Sequence, residues 1–225
     1  MSIAPKHALY GEFARVARAL GSPHRLEMLE HLAQGERGVE ALAERVGLTV
    51  ANASQHLQKL RRAGLVVPRR EGKFVLYRLA DDSVLKLMAA LSGLAGRNLA
   101  EVDRIRRAYF DARDELEPVS RDELMNRMRD GLVTVLDVRP EDEYATGHLP
   151  GAVNIPLGEL EQRLAELHPE HEIIAYCRGP WCVLSFEAVA ALRAHGFKVR
   201  RLEDGLPEWR TAGLAVERGT PSAFR

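Results

Sequence analysis

The sequence predicts two domains of different class: a mainly α half that ends in a β-hairpin, then an α/β half built on a parallel sheet. Three observations carry this. The first half repeats apolar residues at helical spacing, as at Leu9, Phe13, Val16, Ala17 and Leu20. The second half alternates helical stretches with continuous apolar runs, LVTVLDV (132–138) and EIIAYC (172–177), of the kind buried on both faces in parallel sheets. Between them Glu117-Pro118 stops a long helical pattern, because proline has no N–H to donate and disfavours helix in the residue before it. At 225 residues and 46% hydrophobic content the chain is long and apolar enough for two packed cores. The expected limits are 1–98 for the first domain, 99–117 for a helical linker that continues its last helix, and 118–225 for the second.

In chain order, a first helix covers 6–20 and Gly21 ends it. Ser22-Pro23 opens a second, with serine as cap and proline at the first helical position; it continues over 25–33 with Leu26, Leu29 and Leu32 inward. A short third helix, 39–46, places Leu42 and Val46 inward. Gly47-Leu48-Thr49 is a tight turn, and Thr49 caps a helix over 50–63 whose core contacts are Leu57 and Leu60 and which Gly64 closes. Two β-type runs, 65–67 and 74–79, flank Arg69-Arg70-Glu71-Gly72-Lys73, a hairpin with a basic tip. Asp81 or Asp82 caps a long helix from Ser83 to about Leu116, bent at Gly93 and Gly96, and long enough that part of it packs on a partner chain. Past the proline, 120–129 is helical, 132–138 a strand, 153–155 short and extended, 160–167 helical, 172–177 a strand, 184–195 a helix, 198–202 a strand and 206–211 a short helix.

The net charge is +0, so no global field draws the chain to DNA or to a membrane surface. Local charge differs. Between 49 and 79, seven basic residues (Lys59, Arg61, Arg62, Arg69, Arg70, Lys73, Arg78) face one acid, Glu71, and from 137 to 172 the balance reverses. A basic segment in a neutral chain is either a nucleic-acid face or an ordinary solvated surface. The start MSIAPKHALYGEF lacks a charged-then-apolar signal pattern, and no apolar run approaches the roughly 18 residues of a membrane-spanning helix. A cytoplasmic chain without a membrane partner is expected. In a reducing compartment its two cysteines, Cys177 and Cys182, point to catalysis, redox chemistry or metal binding rather than a structural staple.

Helix, turn, helix and basic hairpin is the order of a winged helix-turn-helix, in which a helix enters the major groove and the hairpin sets cations on phosphate or in the minor groove. ALGSPHRLEMLEHL, then Ser54-Gln55-His56-Leu57, then LRRAGLVVPRREGKFVLYRL, in that order, resemble the ArsR/SmtB repressor family across the first domain. The resemblance implies that Thr49, Asn52, Ser54, Gln55 and His56 face the groove and that Lys59, Arg69, Arg70 and Lys73 meet phosphates. It also implies a homodimer paired through its first and last helices on a near-palindromic double-stranded operator. Taken alone, His56 reads equally as a helix histidine satisfied by its neighbours, and Arg61-Arg62 as a solvated helix end that complements the dipole. Family members often sense metals through Cys-x-Cys on the third helix or Asp/His/Glu sets on the last. Here ALAERVGL has no cysteine and DDSVLKLMAALSGLAGRNLAEVD no histidine, so neither metal site is expected, nor any cofactor. His24 and His31, two turns apart on one helix, read as surface residues.

In the second half, a buried strand ends at Cys177 and a helix begins near Val183. Strand C-terminal ends are where open α/β sheets bind ligands, loop amides and a helix N-terminus make an anion cradle, and the same field favours thiolate. Arg178 adds positive charge. Position alone thus makes Cys177 either reactive or a buried structural cysteine. LDVRPEDEYATGHLPGAVNIP (136–156), YCRGPWC and LEDGLPEWRTAGLAV resemble the three ordered signatures of the rhodanese family. That resemblance implies that Cys177 accepts sulfane sulfur and holds it as a persulfide until an acceptor takes it. The loop Cys177, Arg178, Gly179, Pro180, Trp181, Cys182 would cradle the outer sulfur, Asp137 and Arg139 would support the loop from the neighbouring strand end, His148 and Gly151 would shape a connection, and Trp209 would be core. The loop lacks the basic residue that thiosulfate-using members carry near its end, so the small donor is thiosulfate or a persulfide, with thiosulfate in doubt. A phosphatase loop needs Cys-x(5)-Arg, and that position is Val183. Cys182 is either a resolving thiol that closes an intraloop bond or a small apolar residue at the helix start, with Pro180 holding the sulfurs apart.

Joined, the halves imply a homodimeric DNA-binding regulator in which sulfur loading or oxidation at Cys177 shifts DNA affinity through the segment 97–117. The alternatives are a sulfurtransferase whose DNA-binding half dimerises or autoregulates, and a constitutive DNA binder whose second half recruits a partner.

Overall fold

The computed structural model describes residues 3–111, 118–131 and 133–219. Leu116, Glu117 and Leu132, which figure in the expected helix end, boundary and strand, lie outside them. The chain forms two compact units, Met1–Ala89 and Ala90–Arg225.

The first unit holds α1 (Ile3–Leu20), α2 (Pro23–Gln34), β1 (Arg37–Gly38), α3 (Val39–Arg45), α4 (Val50–Arg62), β2 (Val66–Glu71) and β3 (Phe74–Leu79). Its strands form an antiparallel sheet of order β1-β3-β2. Met28 and Leu29 of α2, Leu42 of α3, Ala53, Leu57 and Leu60 of α4 and Val66 of β2 are buried in one core. The hairpin differs from expectation. β2 runs through Pro68, Arg69 and Arg70 to Glu71, which pairs with Phe74, so the turn is only Gly72-Lys73 and two of the basic residues lie on a strand. Gly72 has φ +59°, a left-handed value that glycine adopts without strain. Pro68 is tolerated because β2 is an edge strand. His31 is buried, correcting its surface reading; on α2 it lies beside Leu32 on the inward stripe.

The long helix expected from Ser83 is shorter. α5 (Ser83–Asn98) passes Gly93 and Gly96 without a break and stops at Leu99, which is extended (φ −109°, ψ 108°). The Asn98 side-chain amide donates to the Leu94 carbonyl at 2.8 Å, and the Leu99 N–H still reaches the Ala95 carbonyl at 2.9 Å, so the last turn stays closed up to the break. α6 (Ala100–Ile105) restarts with Glu101 and Asp103 in its first turn, where acids complement the helix dipole, and passes into a π-helical segment, Arg106–Asp111.

The second unit continues with α7 (Arg121–Arg129), β4 (Val133–Asp137), α8 (Glu141–Thr146), β5 (Val153–Asn154), β6 (Glu172–Tyr176), α9 (Val183–Ala194), β7 (Val199–Arg201) and α10 (Leu206–Thr211). The four strands are parallel in the order β5-β4-β6-β7. Strand alternation feeds two cores. Leu136, Ile173 and Ala175 pack with Ile155 and Val189 in one, Val135, Ile174 and Tyr176 with Leu124 and Trp209 in the other. The helix expected over 160–167 is instead two 3-10 turns, Leu157–Gln162 and Leu164–Glu166, broken at Arg163 (φ −115°), whose guanidinium bonds Glu159 and Glu166 on either side of the break. Among the described residues no helix is long and apolar enough to cross a membrane.

Candidate functional site

β6 ends at Tyr176 and α9 begins at Val183, so the loop Cys177–Cys182 occupies the C-terminal end of a central parallel strand. Cys177 and Cys182 are both buried, and a disulfide joins them, with their Cα atoms 6.2 Å apart. Pro180 therefore does not keep the sulfurs apart, and the two thiols expected from the reducing compartment are a bonded pair here. The reason is local. The Cys182 N–H donates to the Gly179 carbonyl at 3.2 Å, and this turn folds the loop back on itself. Cys182 also precedes the first residue of α9, so the positive end of a 12-residue helix dipole faces the sulfur pair.

Arg178 does not add free positive charge to the loop. It forms a bidentate pair with Glu143 of α8 (Nε–Oε2 and Nη2–Oε1, both 2.9 Å), and Glu143 is fully buried. A groove of about 390 Å³ beside the same sheet end is lined by Glu141, Asp142 and Glu159 along with Val138, Leu157 and Leu184.

Asp137 and Arg139 are fully buried beside the residue that precedes Cys177. Arg139 bonds Asp137 through its guanidinium and its backbone N–H, the latter at 3.0 Å, and donates to the Gly147 carbonyl at 2.8 Å. The Tyr176 hydroxyl donates to Asp137 and accepts the Leu149 N–H at 3.0 Å, and the Asn154 amide donates to the carbonyls of Asp137 and Arg139. Burial, reinforced by the Asp137 charge, pushes the Tyr176 hydroxyl well above its ordinary pKa. For Arg139 burial opposes the charged form, but the charge and hydrogen bonds of Asp137 outweigh it and hold the guanidinium protonated. His148 is buried, stacks on Tyr144 at 3.7 Å and donates from Nδ1 to the Tyr144 carbonyl at 2.9 Å. Gly151 turns the connection at φ +67°, its N–H donating to Glu217 at 3.0 Å. Trp209 is buried with its indole N–H on the Ala215 carbonyl, 2.8 Å away.

Several contributors were not apparent in the sequence. Gly205, before α10, runs directly beneath the loop. A Cβ there would lie 2.5 Å from the Arg178 carbonyl carbon and 2.6 Å from the Gly179 Cα, and would also strike the Gly179 nitrogen. Its N–H donates to Glu208, whose carboxyl burial pushes up. The expected result for Gly205→Ala is a displaced loop and a loss of about 1–3 kcal/mol in the stability of the second unit, since the added methyl meets backbone that must shift; thermal unfolding checks it, and an unchanged transition contradicts it. Phe110, in the π-helical segment, meets Trp181 of the loop at 5.7 Å and Phe186 of α9 at 4.7 Å between ring centroids, and the neighbouring Tyr109 hydroxyl donates to Glu187 at 3.1 Å. Two aromatic residues next to each other in a helical run signal only packing; what they pack on needs the fold.

In the first unit, the Thr49 hydroxyl accepts the Asn52 N–H at 3.3 Å and caps α4. Thr49, Asn52, Gln55 and Lys59 are exposed; Ser54 and His56 are half-buried. His56 is turned partly inward. Its Nδ1 lies 3.5 Å from the Arg25 guanidinium and its ring 5.9 Å from that of His24. Burial first, then the charges of Arg25, Lys59 and His24, hold its pKa below the ordinary histidine value. Arg25, a buried arginine that the sequence reading passed over, also donates to the carbonyls of Arg18 and Ala19 and so ties the end of α1 to α4. Arg70 and Lys73 are exposed, whereas Arg69 is engaged with Glu36 at 2.7 Å and Glu71 at 2.9 Å. Exposed pairs of this kind contribute only about 0–1 kcal/mol, so a phosphate can displace them.

Two family models match the chain: a helix-turn-helix domain over residues 20–69 and a rhodanese-like domain over residues 120–212. The HTH-type transcriptional regulator Rv0324 of Mycobacterium tuberculosis is 45% identical over 216 residues, 96% of this chain and 95% of that protein. The putative sulfur carrier protein YrkF of Bacillus subtilis is 38% identical over 81 residues, 36% of this chain and 43% of its own length. Among solved structures, the homodimeric winged helix-turn-helix DNA-binding domain of Mb0332 from Mycobacterium bovis, described as a possible ArsR-family transcriptional regulator, is 45% identical and covers 42% of this chain and 87% of its own, with a TM-score of 0.40.

Proposed function

Because the chain belongs to the family of HTH-type transcriptional regulators that carry a C-terminal rhodanese-like domain, we propose that it is an ArsR-type regulator whose second domain accepts sulfane sulfur on Cys177 and passes the sulfur state to DNA binding. One observation carries this reading: both cysteines of the chain lie in one strand-end loop, and the DNA-binding half has none. Any thiol-based signal must therefore arise in the rhodanese domain. In the transfer step the Cys177 thiolate attacks the outer sulfur of a donor R–S–SH. A sulfur–sulfur bond forms at Cys177, the donor's sulfur–sulfur bond breaks, and its electron pair leaves with the thiol R–SH. The donor is better read as a persulfide than as thiosulfate. Arg178 is neutralised by Glu143 and the adjoining groove is lined by Glu141, Asp142 and Glu159, so the loop's own arginine offers no free cation to a dianion.

The first domain would bind a near-palindromic duplex as a homodimer, with Thr49, Asn52, Ser54, Gln55 and His56 toward the groove and Lys59, Arg69, Arg70 and Lys73 toward phosphates. Pairing with a second copy is supported by apolar side chains left exposed on the two helices that would form the seam: Leu9, Tyr10 and Phe13 on α1, and Leu87, Leu91 and Leu94 on α5.

The test uses the full chain. Mass spectrometry and sulfide measurement after treatment of the reduced chain with glutathione persulfide are expected to find sulfur accepted at Cys177, either still held there as a persulfide or already released as sulfide with Cys177 oxidised, and selection from a random duplex pool to recover a near-palindromic site. Sulfur transfer without duplex binding selects the sulfurtransferase alternative, and duplex binding with no transfer from any donor selects a recruitment role.

A further inference from the structure

We propose that Cys182 is the resolving thiol of this loop, so that the domain does not store a persulfide but converts it to an intraloop disulfide and sulfide. The inference rests on Cys177 being the sulfur acceptor. Its own support is separate. The two sulfurs are bonded across a loop of four intervening residues, with β6 intact up to Tyr176 and α9 intact from Val183. The loop is held in that closure from both ends: the Cys177 carbonyl accepts the Leu206 N–H at 3.3 Å, the Gly179 carbonyl accepts the Cys182 N–H, and the Ser185 hydroxyl donates to the Cys182 carbonyl at 3.0 Å. Cys182 lies at the N-terminus of α9 and is buried beside Cys177, so it meets the inner sulfur of Cys177 before an external thiol does.

The chemistry balances without an outside oxidant. Cys177 first takes the outer sulfur of R–S–SH and releases R–SH. The Cys182 thiolate then attacks the inner sulfur, Sγ of Cys177; the Cys177–Cys182 bond forms and the bond to the outer sulfur breaks. The outer sulfur leaves as hydrosulfide and takes up the proton given up by the Cys182 thiol. Overall, one persulfide and two protein thiols become one thiol, one hydrogen sulfide and one disulfide. The sulfane sulfur is reduced and the two cysteines are oxidised. The domain is then a single-turnover device, and the reaction that resets it must be a dithiol–disulfide exchange. The intraloop disulfide, rather than the persulfide, is the state that persists to be read.

The experiment treats reduced, full-length protein with glutathione persulfide, removes the donor, and measures sulfide release alongside non-reducing peptide mass spectrometry, for native protein, Cys182→Ser and Cys182→Ala. Two replacements are used so that a folding defect in one does not decide the matter. Native protein is expected to release stoichiometric sulfide and end with Cys177 bonded to Cys182. Both variants are expected to keep a persulfide on Cys177 and to release sulfide only when an external thiol is added. A stable Cys177 persulfide with Cys182 open to alkylation in the native protein overturns the resolving role alone. No sulfur on Cys177 in any of the three overturns the acceptor reading as well.

Discussion

Arg139→Ala is expected to destabilise the second unit by about 3–5 kcal/mol, the usual loss when one member of a buried ion pair is removed. Arg139 and Asp137 are both fully buried. With the guanidinium gone, the Asp137 carboxylate keeps the Tyr176 hydroxyl and the Arg139 backbone N–H as donors but has no compensating charge, and the Gly147 carbonyl loses its donor. A domain of this size shifts by a few degrees per kcal/mol, so its thermal transition should fall by on the order of 10 °C. The damage should also reach function, because Tyr176 is the residue before Cys177. Pairing Arg139→Met with Asp137→Leu is expected to recover much of the stability, since replacing both members of a buried pair by apolar groups is often nearly neutral. Differential scanning calorimetry checks both; a single variant that melts with the native protein would contradict the assigned role.

The second large effect concerns Phe110. Its ring touches Trp181 between the two cysteines and Phe186 on α9, and the face of Phe186 also carries the Arg201 guanidinium, 4.2 Å from its centroid. Aromatic pairs of this kind contribute about 0.5–1.5 kcal/mol each, enough to seat the Arg106–Asp111 segment and weak enough for a change in loop state to unseat it. That segment leads back along the chain through α6 and α5 to the DNA-binding domain. Regulatory couplings amount to about 1–3 kcal/mol, or roughly 5–150-fold in affinity. Phe110→Ala is therefore expected to keep operator affinity and sulfur acceptance while the affinity ratio between loaded and reduced protein collapses towards unity. Fluorescence anisotropy with labelled operator, with Trp emission as a monitor of the loop, reads this out. A full native response in the variant would remove Phe110 from the route.

Much of this was legible in the residues. Continuous apolar runs placed β4 and β6, and Cys177 followed as a cysteine at a strand end. Thr49 before an amphipathic run placed the α4 cap. The losses have physical causes. α8 has three acids in six residues and only Tyr144 and Ala145 to mark it as helix, so its apolar signal is too short to read. β1 is two residues held by register with β3, and pairing across that separation leaves no local trace. The glycines at 93 and 96 suggested bends, but glycine lowers the cost of a bend without requiring one, and the break came instead at Leu99, whose backbone is extended. At the site, Glu143 with Arg178 and Asp137 with Tyr176 join residues 35 and 39 positions apart. A buried charge is recognisable only once its partner has been placed. The disulfide likewise depended on the turn at Gly179, which spacing alone does not determine.

The most direct test of the coupling between sulfur and DNA is operator affinity measured on one preparation of full-length protein, reduced and then after loading with glutathione persulfide, beside Cys177→Ser under both conditions. A native affinity that changes by roughly 5–150-fold on loading and returns on reduction with a dithiol, while Cys177→Ser stays constant, is the predicted result. Equal affinity in all four measurements would contradict it.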